Sequence, residues 1–460
     1  MADLPQKYDA KSVENKWEKF WEENEIYKST INPDKENFTV VIPPPNVTGI
    51  LHIGHILNNT IQDIYCRWNR MKDYEVCWIP GMDHAGISTQ IMVENDLARS
   101  GKTKHDLGRE EFVKIVWKWK EKHGGHILKQ LRKLGASLDW SKERFTLDDG
   151  LSKAVREVFV DLYKKNLIYR GKRIINWDSK TQTAVSDDEI IYKEQDDKLF
   201  YIKYHLKDSD NYITIATTRP ETMLGDTAVA VNPKDKRFKK FLNKMVILPL
   251  VNKDMPVIED EYVDVEFGTG ALKITPAHDP NDFEVGERHN LKRVNVITKD
   301  GKMNENGLEF EGLDILTARR KIVERLKELD LIEKIEDYTH NVAYCEKSDA
   351  IIEPYLSDQW FVSMKKLAEP AKKVVEEGRI KFHPERWTKT YFHWMNNIRD
   401  WCISRQLWWG HQIPIWYHNE TGEIYCDINP PDDIENWAQD PDVLDTWFSS
   451  WLWPFSVFGW

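Results

Sequence analysis

The chain has 460 residues, 41% of them hydrophobic and 31% charged, with a formal net charge of −11. That length supports two or three domains with separate cores, and the composition excludes a disordered or fibrous chain. The acidic total excludes a uniformly basic nucleic-acid binder, although a local basic face would still suffice for RNA.

No uninterrupted apolar run reaches the roughly 18 residues of a membrane-spanning helix, and the opening residues Met1 to Lys7 carry no apolar signal-peptide core. Cys66, Cys77, Cys345, Cys402 and Cys426 form no C-x-x-C pair. That pattern fits a reducing, cytoplasmic compartment and supplies no zinc knuckle. No metal-ligating residues are assigned.

An amphipathic helix is expected over 11–27, with Val13, Trp17, Phe20 and Trp21 on one stripe. The runs Phe38 to Ile42 and Glu75 to Ile79 are short, apolar and closed by Pro or Gly, and read as buried strands. Between them Leu57, Ile61, Ile64, Tyr65 and Trp68 recur at helical spacing. The result is a strand-helix-strand unit with a motif after each strand, the edge at which open α/β sheets bind ligands.

The first motif is Pro43-Pro44-Pro45-Asn46-Val47-Thr48-Gly49-Ile50-Leu51-His52-Ile53-Gly54-His55. Prolines fix the backbone and Gly49 lets it bend. A helix opening near His52 offers free amides to an anion, and His52 and His55 share a face of its first turn. Gly54 leaves room for a flat ring on the backbone. His-x-x-His by itself reads first as a surface pair or half of a metal site, and the proline-rich lead-in after a strand shifts that reading toward a phosphate site. Neither a G-x-G-x-x-G nor a phosphate-binding G-x-x-x-x-G-K-[ST] occurs in this unit. The second motif is Gly81-Met82-Asp83-His84-Ala85-Gly86.

Helices are expected at about 109–134 and 151–168, then a strand at Arg173 to Trp177. After about residue 190 short alternating strands appear, such as Leu199 to Tyr204 and Tyr212 to Ala216, with a helix at about 314–330. Near 345 the Trp-rich helical and strand texture returns. The boundaries drawn are 1–190, a β-rich insertion at 191–345, and 346–460. Inside the insertion Thr217, Thr218, Arg219 and Thr222 follow one strand, and Lys273, Thr275, Asp279 and Asp282 follow another. Such residues also cap turns and decorate surfaces.

With these motifs in hand, the first resembles the HIGH signature of class I aminoacyl-tRNA synthetases. The proline-rich lead-in and Gly81-Met82-Asp83-His84-Ala85-Gly86-Ile87-Ser88-Thr89-Gln90 resemble the valine-specific branch more than the isoleucine or leucine branches. Ala216 to Thr222 and Gly270 to Asp279 resemble its editing domain. Asp400 to His411 and Asp442 to Ser450 resemble its returning catalytic half.

The resemblance implies an α/β fold, a Rossmann-type parallel sheet interrupted by a β-rich editing domain. It implies activation of valine with ATP and Mg2+, transfer to tRNA-Val, and hydrolysis of mischarged Thr-tRNA by a protein expected to be a monomer. His52 and His55 would be catalytic, and with Gly54 would bind ATP. Pro44, Asn46, Asp83 and Trp447 would border valine, with Asp83 on its ammonium. Thr217, Thr218, Arg219, Thr222, Lys273, Thr275, Asp279 and Asp282 would edit, Asp279 anchoring the ammonium and Arg219 and Lys273 the tRNA end. The family's Lys-Met-Ser-Lys-Ser signature and helical anticodon-binding domain do not occur, so an N-terminal half is expected. A free-standing editing hydrolase and an inactive tRNA-binding module are the alternatives.

Overall fold

The computed structural model describes residue 7 and residues 9–460. They form two compact units, one of residues up to Tyr169 together with Val362–Trp460, the other Arg170–Phe361. The second contains the whole 191–345 stretch and extends into the strands Ile168–Asp178 and Ile352–Val362.

The first unit opens with α1 (Ala10–Glu23), shorter than the expected 11–27 because the helix is capped at Asn24 and Glu25 turns to a positive φ of 49°. β1 (Asn37–Val41) and β2 (Glu75–Ile79) pair in parallel, Asn37 opposite Glu75 through Val41 opposite Ile79. The crossover between them is α2 (Ile53–Met71). β3 (Gly81–Met82) continues from β2 and pairs in parallel with β4 (Arg144–Phe145). Here the glycine is obligatory: a Cβ at Gly81 would stand 2.3 Å from the Trp453 ring. Ile42, Val47, Trp78, Ile79, Met82, Phe112, Val116, Leu131 and Trp409 form the core beneath these strands. The parallel sheet of this unit is thus two short pairs, and both deliver their carboxyl ends to the same place, where Asn46 bridges Asp83 in parallel.

The face that α2 buries is not its apolar stripe. Its buried residues are Asn59, Cys66 and Asn69, whereas Leu57, Ile61, Ile64, Tyr65 and Trp68 are exposed. Each asparagine Nδ2 donates to the carbonyl four residues back, of His55 and Tyr65, whereas Asn59 Oδ1 is buried with no partner among the described residues. Further on, the helix expected at 109–134 is Arg109–Lys133. The one expected at 151–168 is Asp149–Lys164, capped by the Asp148 carboxylate, and ends early because Asn166 takes a positive φ and Ile168 opens a strand.

The second unit is mostly antiparallel. The long strand Ile190–His205 lies between Ile332–Cys345 and Tyr212–Thr217, antiparallel to both. A mixed four-stranded sheet runs in the order Met245–Leu248, Lys253–Glu259, Ala228–Val231, Ala271–Ile274. Alternation along Phe200–Tyr204 and Ile213–Ile215 buries Ile202, Tyr204, Ile213 and Ile215. The helices Pro280–Arg288 and Ile315–Glu328 complete the unit, the latter burying Ala318, Ile322 and Leu326.

Candidate active sites

In the first unit, His52 caps α2. Its Nδ1 accepts the Gly54 amide at 3.1 Å, and His55 Nδ1 accepts the His52 amide at 3.2 Å. An imidazole nitrogen that accepts a backbone N–H cannot carry a hydrogen, so in each neutral ring the hydrogen sits on Nε2. The two rings lie 4.0 Å apart, centroid to centroid. Burial, and then the neighbouring His52, push the His55 pKa down. The amides expected to be free for an anion are therefore largely taken by the two rings themselves, a reciprocal capping box, and what remains for a polyanion is two Nε2–H donors at the positive end of the helix. Gly54 makes room for His52 itself: a Cβ there would sit 3.0 Å from that ring's Cε1.

A cavity of about 470 Å³ opens over this turn, lined by Pro44, Asn46, His52, Gly54, His55 and their neighbours. It brings together five of the expected ATP and valine residues. Asp83 and Trp447 are not among its lining residues. Asp83 lies next to it in the chain pairing: its amide donates to Pro45 O at 2.9 Å and its carbonyl accepts the Val47 amide at 3.1 Å. Ala85 then turns through a left-handed conformation, φ 49° and ψ 62°, to start α3 (Gly86–Arg99). Trp447 is exposed on the short helix Thr446–Ser450, which Asp445 caps.

In the second unit, four of the expected editing residues meet directly. Lys273 Nζ donates to Thr222 Oγ1 at 3.2 Å and to Thr275 Oγ1, and Thr275 N donates to Asp282 Oδ2 at 2.8 Å. Asp226 and Tyr204 belong to the same buried cluster. Asp226 Oδ1 lies 3.4 Å from Lys273 Nζ and accepts the Thr275 hydroxyl, and its Oδ2 accepts the Tyr204 hydroxyl at 2.8 Å. Asp279 caps the helix Pro280–Arg288, accepting the amides of Asn281 and Asp282. Burial raises the Asp282 carboxyl to about 7 against the pull of Lys273, with Asp279 adding to the rise.

Arg219 faces elsewhere. Its guanidinium is held by Glu221 and Glu353, whose charges raise its pKa against the opposing effect of burial. Thr218 and Arg219 line a separate cavity of about 420 Å³ with Asp197, Arg319, His340 and Glu353. Thr217 Oγ1 accepts the Arg219 amide, and the Thr222 hydroxyl donates to Arg219 O. Sequence reasoning missed Tyr204, Asp226, Glu221 and Glu353. The only signal for Asp226 was a lone carboxylate in front of the apolar run Ala228 to Val231.

A family model described as tRNA synthetases class I (I, L, M and V) matches residues 16–460. The valine–tRNA ligase of Geobacillus stearothermophilus is 59% identical over 460 residues, 100% of this chain and 52% of that protein. That of Bacillus subtilis is 57% identical over 458 residues, 99% of this chain and 52% of that protein. That of Thermotoga maritima is 55% identical over 466 residues, 100% of this chain and 54% of that protein. A solved ternary complex, Agrobacterium radiobacter K84 agnB2 LeuRS-tRNA-LeuAMS, aligns with a TM-score of 0.49 at 19% identity, over 98% of this chain and 60% of that one. The chain spans about half the length of the curated relatives it matches. With a family model covering nearly all of its residues, the chain belongs to the class I tRNA synthetases.

Proposed function

We propose that this chain carries the amino-acid-activating site of a valine–tRNA ligase and a separate hydrolytic site for mischarged tRNA. The observation that carries the first half is the paired Nδ1 acceptance of His52 and His55, which turns both Nε2–H groups into donors at the mouth of one cavity. The names of relatives at 55–59% identity support valine as the substrate.

In this reading the carboxylate of valine attacks the α-phosphorus of ATP, and pyrophosphate leaves. His52 and His55 donate to phosphate oxygens as charge develops on them, the kind of term that dominates many enzymes. Asp83 accepts from the ammonium, and Pro44, Asn46 and Trp447 border the side chain. Magnesium, implied by the use of ATP, would neutralise phosphate charge and travel on the phosphates themselves. Among the described residues no three His, Cys, Asp or Glu side chains come together to hold a metal.

A pocket sized for valine rejects isoleucine by bulk but cannot strongly reject threonine, which is nearly isosteric. The Lys273–Asp226–Thr275–Asp282 cluster supports a hydrolytic role in the second unit. Asp282, poised near neutrality, can take a proton from an attacking water. Asp279 would hold the ammonium of the misplaced amino acid and Lys273 the terminal sugar-phosphate of the tRNA, while Arg219, on the other cavity, stands apart from that pair.

The test is amino-acid-dependent ATP–pyrophosphate exchange and Thr-tRNA deacylation, assayed side by side on this chain. Exchange that favours valine over isoleucine and leucine, with deacylation that favours Thr-tRNA over Val-tRNA, is the expected result. Exchange without preference for valine overturns the first half, and indifference between the two charged tRNAs overturns the second.

A further inference from the structure

We infer that Thr146 and His84 are positioning residues that fix the Asp83 carboxylate so that one of its oxygens is kept free for the ammonium of the amino acid. The inference rests on the reading of Asp83 as the ammonium acceptor.

The Thr146 hydroxyl is fully buried and has three neighbours. The His84 amide donates to Oγ1 at 2.9 Å, His84 Nδ1 lies 2.7 Å from Oγ1, and Oγ1 lies 3.1 Å from Asp83 Oδ1. A hydroxyl has one hydrogen and two lone pairs. The amide takes one lone pair. The carboxylate can only accept, so the hydroxyl hydrogen goes to Asp83. The second lone pair is left for His84 Nδ1, which must then carry a hydrogen. A second distance agrees: His84 Nδ1 is also 3.4 Å from Asp83 Oδ1. A bare ring nitrogen there would set its lone pair against the carboxylate, whereas an N–H attracts both oxygens.

Oδ1 of Asp83 is thus tied by Thr146 and faced by His84. Among the described residues no donor reaches Oδ2. The backbone of Asp83 is clamped on both sides by Pro45 O and Val47 N, so neither the chain nor the side chain has to reorganise when a cation arrives. His84 is itself immobilised. Its carbonyl accepts from Trp409 Nε1 at 2.8 Å and Thr89 Oγ1 at 2.7 Å, and its ring meets His411 edge-on at 5.3 Å. The hydrogen-bond chain runs His84 to Thr146 to Asp83, and every link is buried.

The experiment uses two probes, valyl sulfamoyl adenosine and its counterpart lacking the α-amino group, titrated calorimetrically into this chain. The parent should favour the amine-bearing probe by about 10²-fold, the scale of one desolvated charge contact. Thr146→Val should cut that preference to about tenfold or less, because the buried carboxylate loses its fixing donor. Binding of the des-amino probe should not change, and Thr146→Ser should restore the preference. If Thr146→Val does not fold, His84→Leu leaves the hydroxyl in place, removes the Nδ1 donor, and should shrink the preference in the same direction. An undiminished preference in the folded variants overturns the inference, as does equal weakening of both probes, which would mark a merely structural role. A parent chain that binds both probes equally, or neither, instead overturns the reading of Asp83 as the ammonium acceptor.

Discussion

Arg405 and Asp445 are both almost fully buried, and Nη2 of the guanidinium reaches Oδ2 of the carboxylate. The same carboxylate accepts Trp401 Nε1 at 3.0 Å and, through Oδ1, the Trp447 amide at 3.1 Å. One acidic side chain therefore neutralises a buried cation and caps the short helix that presents Trp447.

Replacing Asp445 by Ala takes a carboxylate away from a buried guanidinium that keeps its hydrogen bonds to Cys402 O and Ser404 O. Breaking a buried ion pair costs up to about 3–5 kcal/mol, and loss of the cap adds about 1 kcal/mol. Asp445→Asn keeps an acceptor for the Trp447 amide but not the charge, and should fall between the parent and Asp445→Ala. Urea unfolding of the three proteins measures the order. An Asp445→Ala protein as stable as the parent would show that the pair contributes nothing net.

His55 has two separable jobs. Its Nδ1 accepts the His52 amide and helps cap α2, and its ring belongs to the lining of the cavity. His55→Ala removes both and His55→Asn keeps a cap acceptor, yet both should slow valine activation by about 10²-fold, the usual loss for one transition-state donor. Only His55→Ala should also lose about 1 kcal/mol of stability. Valine-dependent pyrophosphate exchange and thermal unfolding on the same variants separate the effects. A full exchange rate in His55→Asn would assign His55 to capping alone.

How much of this was legible in the chain depends on what kind of signal each residue gives. The strand-helix-strand unit could be read directly, because β-branched runs and a helical period report local conformation. Which face of α2 is buried could not. A period identifies a stripe but not its partner, and here Asn59, Cys66 and Asn69 turn inward while Leu57 and Trp68 stay exposed. The motif residues Pro44, Asn46, His52, Gly54 and His55 meet because they are neighbours in sequence. Thr146 gave no signal, since its contact with Asp83 spans 63 residues and depends on the parallel pairing of β3 with β4. Asp226 and Tyr204 escaped for the same reason, Asp226 reaching Lys273 and Thr275, and Tyr204 reaching Asp226, only once the antiparallel sheets have formed.

The raised Asp282 makes a signed prediction about pH. Its carboxyl titrates at about 7 in the fold, against about 3.9 in an unfolded chain. The native state therefore holds a proton that the unfolded state releases. The stability due to the protonated group is complete below about pH 4 and is lost as pH rises toward about 7. His278 acts in the opposite sense. Burial, with Arg219 and Lys273 nearby, lowers its pKa from 6.5 to about 3, so its contribution is present above 6.5 and lost on acidification. In the parent the two slopes oppose each other between about pH 4 and 6.5. Asp282→Asn keeps an acceptor for the Thr275 amide and removes one slope. Relative to the parent it should gain up to about 1.4 kcal/mol for each pH unit climbed in that window, and should therefore be the more acid-sensitive protein. Urea unfolding at several pH values reads the difference, and parallel pH curves would mean that Asp282 titrates as an ordinary carboxylate.

Asp279 allows its structural and chemical roles to be pulled apart. Its Oδ1 accepts the amides of Asn281 and Asp282 at the start of the helix Pro280–Arg288. Asparagine caps helices as well as aspartate does, so Asp279→Asn should leave the unfolding midpoint nearly unchanged, whereas Asp279→Ala should cost about 1 kcal/mol. The proposed chemistry needs the charge, because a neutral amide holds an ammonium far less well than a carboxylate does. Thr-tRNA deacylation should therefore fall about as far in Asp279→Asn as in Asp279→Ala, by roughly tenfold or more if the pair is worth the 1.5–3 kcal/mol of a charged hydrogen bond. If Asp279→Asn instead deacylates at the parent rate while Asp279→Ala fails, Asp279 serves only to start the helix that carries Asp282, and the ammonium is held elsewhere.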